Sequence, residues 1–204
     1  MKKALLYING EPTKNLVDFS QYDLVACTDG ALNYLLKFDS EIVSKLDFIS
    51  GDFDSHERLD LVDKKFIETP DQNKTDFQKA LEIILEKGIE IVDVYGGSGG
   101  EMDHFLGNLS VADFMKSKMK IQFFDEFSSY YFIPKNFEIS SVQGKMISLF
   151  PFPKAESITT KGLKWPLYKE NLKIGERIGT RNIAENDVVT IKYEKGNLLI
   201  FVGH

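Results

Sequence analysis

The chain has 204 residues, 43% of them hydrophobic, enough for one large domain or two small ones with cores of their own. Its 25 Lys+Arg against 31 Asp+Glu give a net charge of −6, which argues against general affinity for nucleic-acid backbone and leaves any polyphosphate partner in need of metal ions. The single cysteine, Cys27, excludes an intrachain disulfide and sits in the apolar run Leu24-Val25-Ala26-Cys27, where a small buried thiol in a reducing cytoplasm is the expectation. No stretch approaches the apolar length that spans a bilayer, and the run after Met1-Lys2-Lys3 ends at Asn9-Gly10-Glu11, too short for a signal peptide. A soluble protein is expected.

In chain order, Ala4 to Ile8, Leu24 to Cys27, Phe48 to Ile49, Phe66 to Ile67 and Ile91 to Tyr95 read as strands with helix candidates between them, the signature of a parallel sheet covered by helices. The clearest helix runs from about Thr75 to Lys87, where Phe77, Ala80, Leu81, Ile84 and Leu85 repeat at i, i+3, i+4, i+7 and i+8. Thr75 and Gln78 form a capping-box pattern at its start, and Gly88 stops it. A second helix follows Gly99-Gly100, with Phe105, Leu106, Leu109 and Ala112 as its expected buried face and Asp113 at the solvent edge. After about Lys120 the texture turns to short strand-like runs: Ile121 to Phe124, Tyr130 to Ile133 and Met146 to Phe150. Val188 to Tyr193 and Leu198 to Val202, separated by Glu194-Lys195-Gly196-Asn197, read as a hairpin. The expected fold class is α/β: an N-terminal parallel-sheet α/β domain over residues 1–125, then a C-terminal antiparallel β-domain over 126–204, joined near Asp125 to Ser129 without a Pro/Gly-rich linker.

Acidic residues recur just after the apolar runs. Asp29-Gly30 follows Cys27, Gly51-Asp52-Phe53-Asp54-Ser55 follows Ile49, Asp71 to Asp76 follows Ile67, and Gly96 to Gly100 with Asp103 follows Tyr95. In an open α/β sheet, loops at the carboxyl ends of strands share one edge, so these segments are expected to converge on one crevice. Singly, each aspartate reads as a turn or cap residue; recurrence after four strands points instead to a hard cation such as Mg²⁺ with substrate phosphates. Asp52-x-Asp54 suits two oxygens meeting one metal, and Asp76 lies where a helix N-terminus favours an anion. The glycine stretch 96–100 suits phosphate contact, although it is neither a G-x-x-x-x-G-K-[ST] P-loop nor a dinucleotide fingerprint. His56, His104 and His204 lack zinc-ligand spacing and read as surface or terminal residues. Lys74 reads equally as a phosphate contact or a solvated lysine, and Trp165 as a core aromatic or a flat binding surface.

At these residues the sequence resembles the thiamine pyrophosphokinase family. Asp29-Gly30-Ala31-Leu32-Asn33 resembles D-G-G-A-N, Gly51 to Ser55 is G-D-F-D-S unchanged, and Pro70 to Asp76 resembles P-D-Q-D-x-T-D. Gly96 to His104 is similar to a glycine-rich segment ending G-R-x-D-H, and Thr160 to Leu167 to T-x-G-L-K-[WY]-x-L. The resemblance implies an α/β domain followed by a β-sandwich, in a cytoplasmic homodimer with its active site between subunits. It implies pyrophosphoryl transfer from ATP to the hydroxyl of thiamine, releasing AMP, with neither nucleic acid nor membrane as partner. By position, Asp52, Asp54 and Asp76 would hold Mg²⁺ and act on the ATP phosphates, with Asp103 as a further catalytic carboxylate. Asp29, Asn33, Gln72, Lys74, Thr75, Gly99 and Gly100 would shape the nucleotide site, and Trp165, Arg181 and Asn182 would lie near substrate from the β-domain. The sequence departs from the pattern at Ala31, at Glu101 in place of Arg, and at Arg181 in place of Ser; the last two read as a linked exchange of charge.

Two other readings compete. Asp52-Phe53-Asp54-Ser55 after an apolar strand imitates the nucleophile loop of a haloacid-dehalogenase-like phosphatase, but the late Asp-Asp pair of that family occurs nowhere in the chain. A non-catalytic nucleotide- or thiamine-binding module is the other, and the two charge departures keep it open.

Overall fold

The computed structural model describes residues 1–11, 17–38, 40–52 and 65–204. The chain divides into two units, Met1–Glu126 and Phe127–His204.

In the first unit the apolar runs pair in parallel. Strands β1 (Lys3–Tyr7), β2 (Leu24–Thr28), β3 (Phe48–Gly51), β4 (Phe66–Glu68), β5 (Ile91–Tyr95) and β6 (Lys120–Phe124) lie in the order β4-β3-β2-β1-β5-β6. Every residue of β2 and β3 is buried, as parallel strands covered on both faces require. Ile121 to Phe124, where the texture changes, thus belong to the parallel sheet: β6 keeps register with β5 from Ile91↔Lys120 to Tyr95↔Phe124. Strand order runs outward from β1 in one direction through β2, β3 and β4 and in the other through β5 and β6, which makes the β1/β5 junction a topological switch point.

Among the described residues, four α-helices lie between the strands: α1 (Asp29–Phe38), α2 (Ser40–Lys45), α3 (Asp76–Glu86) and α4 (Met102–Met115). Residues Leu32 and Leu35 of α1 and Val43 of α2 pack with Leu5, Val25, Cys27 and Ile49 of the sheet. Helix α3 begins one residue after Thr75, whose hydroxyl accepts the Gln78 N–H at 3.2 Å, and it buries Phe77, Ala80, Leu81 and Ile84. Only half of the capping box forms, because the Gln78 amide turns along the helix to Glu82 at 3.1 Å. Helix α4 corrects the expected face: Leu109 and Ala112 are buried, with Val111 and Met115, but Leu106 is 60% exposed. Leu106 stands about 200° around the helix from Asn108, the residue that faces the loop after β5, so turning Asn108 inward turns Leu106 outward.

The second unit is antiparallel throughout its described pairings. Its strands are β7 (Ser128–Ile133), β8 (Asn136–Ile139), β9 (Met146–Lys161), β10 (Glu170–Lys173), β11 (Gly179–Ile183), β12 (Val189–Lys192) and β13 (Lys195–Gly203). The long strand β9 pairs with β10, β11 and β13 in one sheet and with β12, beside β8, in another. Side chains from both, among them Ile147, Leu149, Ile158, Ile191, Leu198 and Ile200, fill one apolar core. The expected hairpin of Val188 to Tyr193 with Leu198 to Val202 does not form: β12 pairs with β8 and β9, whereas β13 pairs with β7 and β9. The connection passes too close to β9 for a hairpin turn, since a Cβ at Gly196 would lie 1.9 Å from the Lys154 carbonyl oxygen, and the Glu194 N–H bonds the Glu156 carbonyl.

Cys27 is fully buried, as expected from its run, and burial followed by the nearby Asp29 charge pushes its thiol above the ordinary range. At about pH 8.5, where an ordinary thiol is half ionised, iodoacetamide should leave the native protein unlabelled and label it fully in denaturant. Native labelling at the rate of a free thiol would contradict this placement.

Candidate active site

The parallel register sets the site. Tyr7 pairs with Cys27 and with Tyr95, and Cys27 pairs with Ile49, so β1, β2, β3 and β5 end nearly level and their loops leave from one edge. Between them lies a cleft of about 310 Å³, lined by the ends of β1, β2 and β5 and by the first turns of α3 and α4. The loops approach closely. A Cβ at Gly10 would lie 2.3 Å from the Gly96 carbonyl oxygen and 2.4 Å from that of Ser98, and one at Gly51 would lie 2.1 Å from the Asp29 carboxylate.

Three predicted carboxylates line the cleft: Asp29, Asp76 and Asp103. Each opens a helix, where the dipole and unsatisfied N–H groups favour a negative charge. Asp29 is 6% exposed and accepts the Gly30 N–H at 2.6 Å. Asp76 has one carboxylate oxygen 2.8 Å from the buried Lys79 ammonium, which also donates to the Thr69 carbonyl at 2.8 Å. Asp103 accepts the His104 N–H at 2.9 Å. Thr75 and Gly99 line the same cleft, and Gly100 follows with φ of 65°.

Other predicted residues are placed elsewhere. Asp52 does not line this cleft; its carboxylate accepts from the Gln72 amide at 3.2 Å, which brings those two together. Asp54 lies outside the described residues, as does His56. Lys74 pairs with Glu82 at 2.8 Å, which raises its pKa, and faces a second depression with Asp71 and Glu86. Asn33 is exposed on α1, away from the cleft lining. In the second unit Trp165 is 55% exposed, which removes it from the core; its N–H and carbonyl bond the Asn182 side chain at 3.1 and 2.7 Å. Arg181 sits in a bulge of β11 with φ of 58°, its N–H on the Ser148 hydroxyl at 2.9 Å and its side chain exposed.

The described lining contains three carboxylates and neither lysine nor arginine. Such a donor set of hard oxygens fits Mg²⁺, and any phosphate entering the cleft needs that cation. Glu101, Asp103 and His104 are a second group, with ligand atoms within 4.8 Å of one another, all three exposed. Sequence reasoning missed Asn9, Thr28, Tyr34 and Asn108. The Thr28 hydroxyl, in the cleft wall, and that of its strand partner Ser50 are buried without a hydrogen-bond partner among the described residues. The Tyr34 hydroxyl donates to the Ile8 carbonyl and the Asn108 amide to the Gly97 carbonyl, each at 3.0 Å. The available signal for Asn108 was its place on the inward stripe of α4 with Phe105, Leu109 and Ala112, where a polar residue needs a partner.

Comparison with known proteins gives concordant results. Residues 16–123 match the family model of the thiamin pyrophosphokinase catalytic domain, and residues 132–198 that of the thiamin pyrophosphokinase vitamin B1 binding domain. The chain is 30% identical over 206 residues to thiamin pyrophosphokinase 1 of Caenorhabditis elegans, covering 92% of this chain and 84% of that one. Its fold is similar to the crystal structures of thiamine pyrophosphokinase from Bacillus subtilis (TM-score 0.81, 24% identity, 98% of each chain) and of the yeast enzyme (TM-score 0.84, 19% identity, 99% and 86% of the chains).

The close loop approach makes two glycines behave oppositely. Gly10→Ala drives a methyl into two backbone oxygens and should destabilise the protein by about 1–3 kcal/mol. Gly107→Ala, on α4 with nothing within 4 Å of the added Cβ, should stabilise it by about 0.5–1 kcal/mol. Urea midpoints measure both; equal effects would refute the packing described.

Proposed function

The chain belongs to the thiamin pyrophosphokinase family, and on that premise we propose that it transfers the pyrophosphoryl group of ATP to the hydroxyl of thiamine, giving thiamine pyrophosphate and AMP. The observation that carries the reading is the cleft at the β1/β5 switch point, rich in carboxylates and glycine amides and with neither lysine nor arginine among its described lining. Mg²⁺, held by Asp52, Asp54 and Asp76, would supply the positive charge that draws polyphosphate to this acidic edge and stabilises charge on the phosphoryl oxygens.

The chain's own residues do the rest. The 96–100 segment offers backbone N–H groups to phosphate oxygens, and the N-termini of α3 and α4 add their dipoles. Gln72 orients Asp52 through its hydrogen bond. Asp76 keeps one oxygen on Lys79, so proton acceptance from the thiamine hydroxyl falls to Asp103. We assign the first unit to nucleotide and metal, with Asp29, Asn33, Lys74 and Thr75 around them. The second unit, read as a β-sandwich, binds thiamine, where the exposed Trp165, held by Asn182, offers a ring face to a cationic heteroaromatic. A cytoplasmic homodimer completing each active site across subunits, and the linked exchange of Glu101 and Arg181, belong to the same proposal.

AMP release from ATP, measured with and without thiamine, tests the reading: release is expected only when thiamine and Mg²⁺ are both present. Phosphate release from a monoester without ATP would favour the phosphatase, and no turnover would favour a binding module. Asp52→Asn, Asp54→Asn and Asp76→Asn should each lower turnover by about 10²-fold or more while circular dichroism stays native. Near-normal turnover in all three would overturn the metal assignment. Trp165→Ala should raise the KM for thiamine about tenfold, the equivalent of ~1–2 kcal/mol of stacking, and leave the KM for ATP within a factor of about two. Equal losses for both substrates would remove Trp165 from the thiamine site.

A further inference from the structure

We propose that Asn108 is a positioning residue for the nucleotide phosphates: from α4 it fixes the peptide planes of the glycine-rich segment so that their N–H groups face the ligand. The inference rests on the proposed nucleotide site and adds to it a residue of the cleft wall that acts through the glycine-rich backbone.

Three carbonyls are tied to protein, two of the segment and one of Tyr95 just before it. That of Tyr95 accepts the Ile8 N–H at 2.9 Å, that of Ser98 accepts the Glu11 N–H at 2.9 Å, and that of Gly97 accepts the Asn108 amide at 3.0 Å. In a planar trans peptide the N–H points opposite to the C=O. Holding the Gly97 and Ser98 carbonyls therefore turns the N–H groups of Ser98 and Gly99 away from the groups that hold them. Among the described residues, the N–H groups of Gly97, Ser98, Gly99 and Gly100 donate to no protein acceptor. Positive φ at Gly99 and Gly100, 78° and 65°, bends the chain as anion-binding loops of consecutive N–H groups require. Of the three ties, two are made by backbone and survive any substitution; only the one on Gly97 depends on a side chain. A part-buried asparagine spent on a glycine carbonyl beside a cleft sets donor direction there, because without it the Gly97–Ser98 peptide is free to flip and its N–H is lost to the ligand.

The experiment compares native protein with Asn108→Ala and with Asn108→Leu, which keeps nearly the same shape but removes the donor without adding a charge beside the phosphates. Calorimetric titration with a non-hydrolysable ATP analogue and Mg²⁺, the KM for thiamine, and hydrogen exchange across residues 96–100 are measured on each. Asn108→Ala should weaken analogue binding about fivefold to tenfold, as losing one hydrogen bond and reordering the loop would. The KM for thiamine should stay within about twofold, and the protection of the 96–100 amides gained on binding the analogue should fall. Asn108→Leu should weaken analogue binding at least as much, and it decides the matter if the alanine variant does not fold. Unchanged analogue affinity in a folded variant, or equal weakening of both substrates, overturns the positioning role and leaves the nucleotide site standing. Failure of the native protein to bind the analogue overturns both.

Discussion

The structure depends on one constraint, the level ending of four parallel strands. Because Tyr7, Cys27, Ile49 and Tyr95 are tied by register, the chain leaves β1, β2, β3 and β5 from a common edge, and the described residues there have almost no room between them. Gly10 and Gly51 are answers to that crowding, since a methyl on either would meet a carbonyl or a carboxylate well inside van der Waals contact. The same register that buries Leu5, Leu6, Ala26 and Ile49 thus also places Asp29 beside the loop that carries Asp52. Core and site are two ends of the same strands.

Crowding carboxylates on one edge works against folding, because like charges repel and burial penalises their ionised form. The fold moderates this locally. Each cleft aspartate opens a helix, and Asp76 borrows a buried lysine. What remains is a cleft with negative charge and unused backbone donors facing the same space. Either feature alone is ordinary; together they suit a ligand that brings both anion and cation, as a metal–polyphosphate complex does. Buried hydroxyls without partners at Thr28 and Ser50 are further signs of an edge shaped for a ligand rather than for stability.

How much of this could be read from sequence follows from the range of the interactions concerned. Strand runs and α3 were legible because burial and helical period are local, and the acidic residues because they recur after strands. The face of α4 was misassigned at Leu106 because Phe105, Leu106 and Leu109 offer an apolar stripe that the Asn108 to Gly97 bond overrides. The β12–β13 hairpin failed because turn chemistry at Glu194 to Asn197 says nothing of β9, which lies between the two strands in pairing order. Trp165 was ambiguous until its exposure was known, and Tyr34 and Asn108 act through backbone oxygens that no motif encodes. Lys74, read equally as phosphate contact or solvated lysine, pairs with Glu82 of α3, a partner that local sequence does not single out.

The central claim is that the acidic edge gathers a divalent metal and the phosphates of ATP at one place in the first unit. A crystal of the native protein grown with Mn²⁺ and a non-hydrolysable ATP analogue, with anomalous data collected for manganese, tests it most directly. The account predicts an anomalous peak about 2.1 Å from carboxylate oxygens of the Asp52, Asp54 and Asp76 set, with phosphate oxygens on the 96–100 amides. A peak on Glu101, Asp103 and His104 alone, or a nucleotide bound away from the β1/β5 junction, would contradict it.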